Sequence, residues 1–169
     1  MKLIIASNNE HKIYEIKKML GEKFEQILSI REAGIEHETV EDGSTFMENA
    51  IKKAREIAEI SGFAALADDS GISAHALDGA PGIYSARFSG GSDEDNNNLL
   101  LEKLKDKEDK GAHYTCAMAL VYPDGRLVSA EGYMYGTITE QRRGERGFGY
   151  DPIFIPEGDV RTVAEMTDE

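Results

Sequence analysis

The chain has 169 residues, of which 40 % are hydrophobic, with no tryptophan and a single cysteine. Its 32 acidic and 19 basic side chains give a formal charge of −13, which disfavours nucleic-acid and anionic-membrane binders because those partners demand a basic footprint. The length suits one domain with its own core, no apolar run approaches the ~20 residues of a membrane helix, and the lone Cys116 excludes an internal disulfide. Met1-Lys2 leads straight into Leu-Ile-Ile-Ala, too short for a signal peptide, so a reducing cytoplasm is the expected setting.

Apolar periodicity predicts an alternating β/α opening. Lys2 to Ala6 is a short buried strand, and from Asn9 to Leu20 the residues Ile13, Ile16 and Leu20 recur at helical spacing before Gly21. Gln26 to Ile30 is a second strand, and the polar stretch Arg31 to Asp42 is loop. A long helix follows from Phe46 to Ile60, with Met47, Ala50, Ala54, Ile57 and Ala58 on one face and Ser61-Gly62 as its stop. Thr45-x-x-Glu48 has the spacing of a capping box. Phe63 to Ala67 is a buried strand expected to stop at Asp68-Asp69. The Gly/Pro-punctuated stretch from Asp78 to Gly91 is ordered loop with room for a short helical turn. Ser92 caps a helix reaching Leu104, and Tyr114 to Tyr122 and Leu127 to Tyr135 form a hairpin through Pro123-Asp124-Gly125. The expected fold is a single α/β domain: a mixed twisted sheet flanked by helices, with two lobes around a central cleft.

Four segments could carry chemistry. Ser7-Asn8-Asn9-Glu10-His11-Lys12 lies where the first strand becomes the first helix, a junction whose free N–H groups and dipole suit an anion; an Asn cap with an exposed lysine explains it equally well. Asp68-Asp69-Ser70-Gly71 sits at the expected carboxyl edge of the sheet. Adjacent carboxylates in extended chain face opposite ways, so one is assigned to chemistry and the other to a turn. Glu41 precedes the long helix, and a loop carboxylate meeting Asp69 would make a hard oxygen site suited to Mg²⁺; Lys53 on that helix reads as solvated unless something pairs with it. Gly144-Glu145-Arg146-Gly147-Phe148-Gly149-Tyr150-Asp151-Pro152 interleaves glycines with aromatic rings on which a nucleobase could stack, or which could pack a hinge.

Other patterns fail. There is no P-loop or dinucleotide fingerprint, and Asp93 to Leu104 lacks the Gly and Glu of an EF-hand and reads as a helix N-terminus. His11, His37, His75 and His113 show no zinc-site spacing. Cys116, Met19 and Met47 are read as core.

Taken together and in this order, Ser7 to Lys12, Thr45 to Ala54, Ala67 to Gly71, Gly79 to Phe88 and Gly147 to Pro152 resemble the inosine triphosphate pyrophosphatase family over nearly the whole chain. The resemblance implies a homodimeric, Mg²⁺-dependent enzyme that hydrolyses deaminated purine nucleoside triphosphates (ITP, dITP, XTP) to the monophosphate and pyrophosphate. It implies that Ser7, Asn8, Asn9, Glu10, His11, Lys12 and Lys53 hold the triphosphate, and that Glu41 and Asp69 bind the metal, with Asp69 also the base. Ser70 would touch substrate, and Phe148, Gly149, Tyr150 and Asp151 would cradle base and sugar. A pyrophosphatase of ordinary pyrimidine nucleotides and a non-catalytic nucleotide-binding module are the alternatives. Family members continue past the Thr162 to Met166 segment into a helix with a lysine and a Ser-His-Arg motif. The chain stops at Glu169, so the natural protein is expected to extend further.

Overall fold

The computed structural model describes residues 1–166. Leu3, Ile4 and Ile5 are almost wholly buried in the first strand, β1 (Lys2–Ile5), which lies parallel to β2 (Gln26–Ser29) on one side and β3 (Ala64–Ala74) on the other. A parallel strand covered on both faces must be apolar along its buried positions, and Leu3, Ile4 and Ile5 are, with only Lys2 exposed at its start. On one face Ile4 and Ala6 pack with Ala50, Ala54, Ile57 and Ala58 of α2 (Phe46–Ser61); on the other, Leu3 and Ile5 pack with Ile16 of α1 (Glu10–Leu20).

The remaining elements are α3 (Asp93–Leu104), β4 (Gly111–Val121), β5 (Leu127–Ile138) and β6 (Phe154–Pro156), with single helical turns at Gly82–Arg87 and elsewhere. The strands hydrogen-bond in the order β2-β1-β3-β4-β5-β6, and β5 and β6 pair antiparallel, so the sheet is mixed. Two compact units emerge, Met1–Asp69 with Cys116–Glu131 and Ser70–Thr115 with the chain from Gly132, and β3, β4 and β5 contribute residues to both. The second unit has its own core of Ile72, Ala74, Leu100, Leu104, Ala112, Ile138, Tyr150, Ile153 and Phe154.

Several sequence expectations need correction. The third strand does not stop at Asp68-Asp69: it runs on to Ala74, because Ile72 and Ala74 are buried beyond the acidic pair and extend the apolar register. Neither aspartate therefore makes a turn. The capping box at Thr45 is only half formed: Thr45 Oγ1 accepts from Glu48 N–H, but the Glu48 carboxylate accepts from Ser44 N–H rather than from Thr45. Complete boxes form instead at α3, where Ser92 and Asp95 satisfy each other's backbone N–H groups, and at Thr162 with Glu165. Cys116 is exposed, since it falls on the outward register of β4, and Met19 is 64 % exposed, one position off the buried stripe of α1. Met47 does pack against the core.

Candidate active site

At the end of β1 the chain turns into α1 through Ser7, Asn8 and Asn9. Asn9 is the N-cap, its Oδ1 accepting from the N–H groups of His11 (3.0 Å) and Lys12 (3.3 Å), and Ser7 Oγ accepts from Asn9 N–H (3.0 Å). One turn into the helix, Lys12 reaches Asp68 on β3, with Nζ 2.8 Å from Oδ2. The Asp68 side chain is only 7 % exposed, so this pair is largely withdrawn from water. The cap and the cation thus coexist: the Asn explains the helix start, while the lysine is held at the strand edge.

The second wall comes from α2. Asn49, Lys53 and Ile57 recur at four-residue spacing and so share a helix face. Lys53 Nζ lies 2.6 Å from Glu41 Oε1, which gives Lys53 the partner its spacing left open. Asn49 is buried and bridges two segments: its Oδ1 accepts from Gly43 N–H (2.7 Å) and its Nδ2 donates to Asp69 Oδ2 (3.1 Å). Only glycine fits at position 43, since a Cβ there would sit 2.7 Å from Asn49 Oδ1 and 2.8 Å from Glu48 Cβ. Lys52 grips the Val40 carbonyl and the Asp42 carboxylate, and His37 lies 2.6 Å from Glu56. His37 and each residue from Val40 to Gly43 are thereby fastened to α2, and Glu41 is positioned on a loop that has no strand of its own.

A cavity of about 500 Å³ opens between these walls, lined by Ser7, Asn8, Asn9, Lys12, His37, Glu38, Thr39, Glu41, Lys53 and Asp68 with apolar neighbours. Glu10 and His11 are exposed and do not line it. Asp69 is half-buried beside it, and burial raises its carboxyl above the ordinary aspartate range. The Asn49 hydrogen bond and the charges of Lys53 and Lys12 oppose that rise, while Glu41 adds to it. Asp69 therefore shares an electrostatic environment with Glu41 and both lysines. Among the described residues no three His, Cys, Asp or Glu side chains converge as a metal cage. The donors are hard carboxylate oxygens, of the kind a small divalent cation takes one or two at a time while completing its shell with water and phosphate.

Sequence reasoning missed Asn49, His37 and Asp68 as parts of this site. Asn49 carried a signal: a polar residue at i−4 from Lys53 on a helix whose neighbouring face is apolar. Asp68 did not, because its role depends on where Lys12 arrives.

Ser70 follows Asp69 on β3, and Phe148 to Asp151 belong to the second unit. There the segment folds on itself: Phe148 N–H donates to Asp151 Oδ2 (3.0 Å), and Asp151 N–H donates to the Phe148 carbonyl (3.2 Å). Gly147 has φ +74°, and a Cβ on it would fall 2.0 Å from Asp151 Oδ2, so the loop closes only with glycine. The Tyr150 ring is buried in the core and its hydroxyl donates to the Ser85 carbonyl (2.6 Å). Of the two rings expected to offer a stacking face, Tyr150 is thus an anchor, and Phe148 is the partly exposed one.

Comparison with known proteins agrees in extent with this description. The chain is 47 % identical to the dITP/XTP pyrophosphatase of Clostridium perfringens, covering 99 % of this chain and 87 % of that one, and 48 % identical to its namesake from an Exiguobacterium species, covering 98 % and 86 %. Among solved structures it resembles the nucleoside-triphosphatase / dITP/XTP pyrophosphatase of Mycobacterium abscessus (43 % identity, TM-score 0.82, 99 % and 90 % covered). It also resembles a HAM1 protein from Coxiella burnetii (36 % identity, TM-score 0.90, 99 % and 88 % covered). The sequence model of the Ham1 family matches residues 3–169, and the chain belongs to the Ham1 family.

Proposed function

We propose that this chain hydrolyses deaminated purine nucleoside triphosphates, dITP, XTP and ITP among them, to the nucleoside monophosphate and pyrophosphate. The observation that carries the reading is the pair of lysine–carboxylate couples, Lys12–Asp68 and Lys53–Glu41, facing one cavity beside Asp69. The names of the relatives, dITP/XTP pyrophosphatases, point the same way.

Each residue then has a task. Lys12 and Lys53 bind phosphate oxygens, with Ser7 and Asn8 as neutral partners at the cavity wall. Asp68 holds Lys12 at the strand edge, and Glu41 does the same for Lys53. Asp69 accepts the proton of the attacking water. The water oxygen bonds to the α-phosphorus, the bond from that phosphorus to the bridging oxygen breaks, and pyrophosphate leaves with the electron pair. Asn49 keeps one Asp69 oxygen oriented and favours the ionised form that a base must have. Glu41 and Asp69 would hold a Mg²⁺ ion, which when bound supplies charge neutralisation on the phosphates. Phe148 to Asp151 receive base and sugar, and Ser70 touches substrate.

Exposed apolar side chains on β5 (Leu127, Val128, Tyr133, Met134 and Tyr135) support a homodimer through this strand. Among the described residues no helix is long and apolar enough to cross a membrane. We assign the protein to the cytoplasm.

The test is pyrophosphate release from ITP, dITP and XTP against ATP, GTP and pyrimidine triphosphates, with and without Mg²⁺. Preferential, Mg²⁺-dependent release from the deaminated purines is expected. Equal rates on ATP and GTP, or release of orthophosphate alone, would overturn the assignment.

A further inference from the structure

Two side chains on α3 hold Gly149 from opposite sides of its peptide units. Asp93 Oδ2 accepts from Gly149 N–H at 3.1 Å, and Asn97 Nδ2 donates to the Gly149 carbonyl at 3.2 Å. Asp93 and Asn97 are four residues apart, hence neighbours on one face of the helix. All three residues lie in the same unit.

Asn97 is 2 % exposed, and its Oδ1 is buried with no hydrogen-bond partner. A flipped amide would turn Oδ1 against the Gly149 carbonyl, two acceptors face to face, so the grip on Gly149 dictates the orientation and strands the other atom. Buried acceptors without donors are destabilising and uncommon. Core packing does not explain such a residue, since a leucine would fill the space without the orphan. The grip on Gly149 does explain it.

Gly149 sits at φ +60°, between the partly exposed Phe148 and the buried Tyr150. Tyr150 anchors the far side through Ser85, and burial together with the negative charge of Asp93 holds its hydroxyl protonated as a donor. With Tyr150 anchored to Ser85 and Gly149 clamped by Asp93 and Asn97, the backbone next to the Phe148 ring is set in place by α3.

We propose that Asp93 and Asn97 are positioning residues for substrate: by clamping both backbone groups of Gly149 they hold the Phe148–Asp151 loop ready for the nucleoside part of the triphosphate. This rests on the reading of that loop as the receiver of base and sugar.

The experiment compares Asp93→Asn and Asn97→Leu with Glu94→Gln, which removes a charge from the same first turn of α3 but does not touch Gly149. Four quantities are read: KM and kcat for ITP, inhibition of ITP turnover by inorganic tripolyphosphate, which has no base, and amide hydrogen exchange of residues 148–150 without ligand. Both clamp variants should raise KM for ITP about tenfold or more with kcat changed far less. They should leave tripolyphosphate inhibition within about twofold and speed exchange at Gly149, while Glu94→Gln behaves as wild type. Unchanged exchange at Gly149, or parallel weakening of ITP and tripolyphosphate, would overturn the clamp. A wild type that leaves ITP intact would overturn the assigned activity alone, and the exchange measurement would still decide whether α3 holds the loop.

Discussion

Replacing Asn49 by aspartate changes one atom's role and little else. The new carboxylate can still accept from Gly43 N–H, as Asn49 Oδ1 does at 2.7 Å, so the loop carrying Glu41 keeps its anchor. The other oxygen, however, stands where Nδ2 now donates, 3.1 Å from Asp69 Oδ2. Two full charges at that separation repel by about 5 kcal/mol at an effective dielectric near 20, and by about half that where water reaches the pair. The Asp69 carboxyl is already raised by burial, and the substitution removes the hydrogen bond that opposes the rise. At 1.36 kcal/mol per pH unit, even the smaller repulsion moves the acid limb of the kcat/KM profile upward by about two units. The two carboxyls then titrate as one coupled pair. Asn49→Leu removes the donor without adding charge, and should move the limb by about one unit, since a hydrogen bond to a charged group is worth ~1.5–3 kcal/mol and the site is only half-buried. The assay is pyrophosphate release from ITP over roughly pH 5 to 10. Profiles that superimpose on wild type, or an acid limb that moves down, would refute the role of Asp69 as base and of Asn49 as its partner.

Asp69→Asn should cut kcat for ITP by about 10²–10⁴-fold, the usual contribution of a positioned base, while nucleotide affinity by equilibrium binding falls far less than kcat. Because the raised Asp69 carboxyl binds its proton more tightly folded than unfolded, its stability contribution is present at low pH and lost as pH rises through the folded value; Asp69→Asn should flatten that part of the Tm–pH curve. Lys12→Met leaves the buried Asp68 carboxylate without its cation, which costs about 3 kcal/mol and, at ~2–4 °C per kcal/mol for a chain of this size, should lower Tm by roughly 6–12 °C. Gly43→Ala drives a Cβ into Asn49 and should cost ~1–3 kcal/mol in denaturant unfolding, with kcat/KM falling alongside because Asn49 must shift away from Asp69.

Legibility followed the range of the interaction. Elements defined by local pattern were readable: Leu3 to Ile5 as a doubly buried strand, the Ala-rich stripe of α2, the Ser92 cap and the Pro123-Asp124-Gly125 turn. What failed had its cause elsewhere in the chain. Asp68-Asp69 looks like a strand end because acidic pairs favour turns, and both aspartates stay inside β3 because partners arrive from elsewhere in the chain, Lys12 of α1 at Asp68 and Asn49 of α2 at Asp69. The face assignment of Cys116 depended on the register of β4, which an apolar run cannot specify. At the site, the roles expected of Glu41, Lys53 and Asp69 came from the family resemblance, since residue type alone left Lys53 as a solvated helical lysine. Asn49, which ties Gly43 and Asp69 together, required knowing that the loop after His37 folds back on α2.

The net charge of −13 bears on how such a site can hold a polyphosphate at all. The cavity is lined by two lysines, Lys12 and Lys53, against three carboxylates, Glu38, Glu41 and Asp68, with Asp69 adjacent. Both lysines are engaged by Asp68 and Glu41, at 2.8 and 2.6 Å, so the wall offers a triphosphate no surplus of positive charge. Phosphate oxygens entering alone would have to displace carboxylates from their lysines and leave those carboxylates facing the ligand. A divalent cation shared between carboxylate and phosphate oxygens reverses the balance, since each anion then gains a partner instead of losing one. If this is how the acidic cavity works, the cation is needed for affinity as well as for turnover. Binding of a non-hydrolysable ITP analogue, measured by calorimetry on the unaltered chain, should weaken at least about tenfold when Mg²⁺ is replaced by EDTA, and Glu41→Gln should remove much of that Mg²⁺ dependence. Equal affinity for the analogue with and without the cation would show that the lysines suffice, and the charge argument would fail.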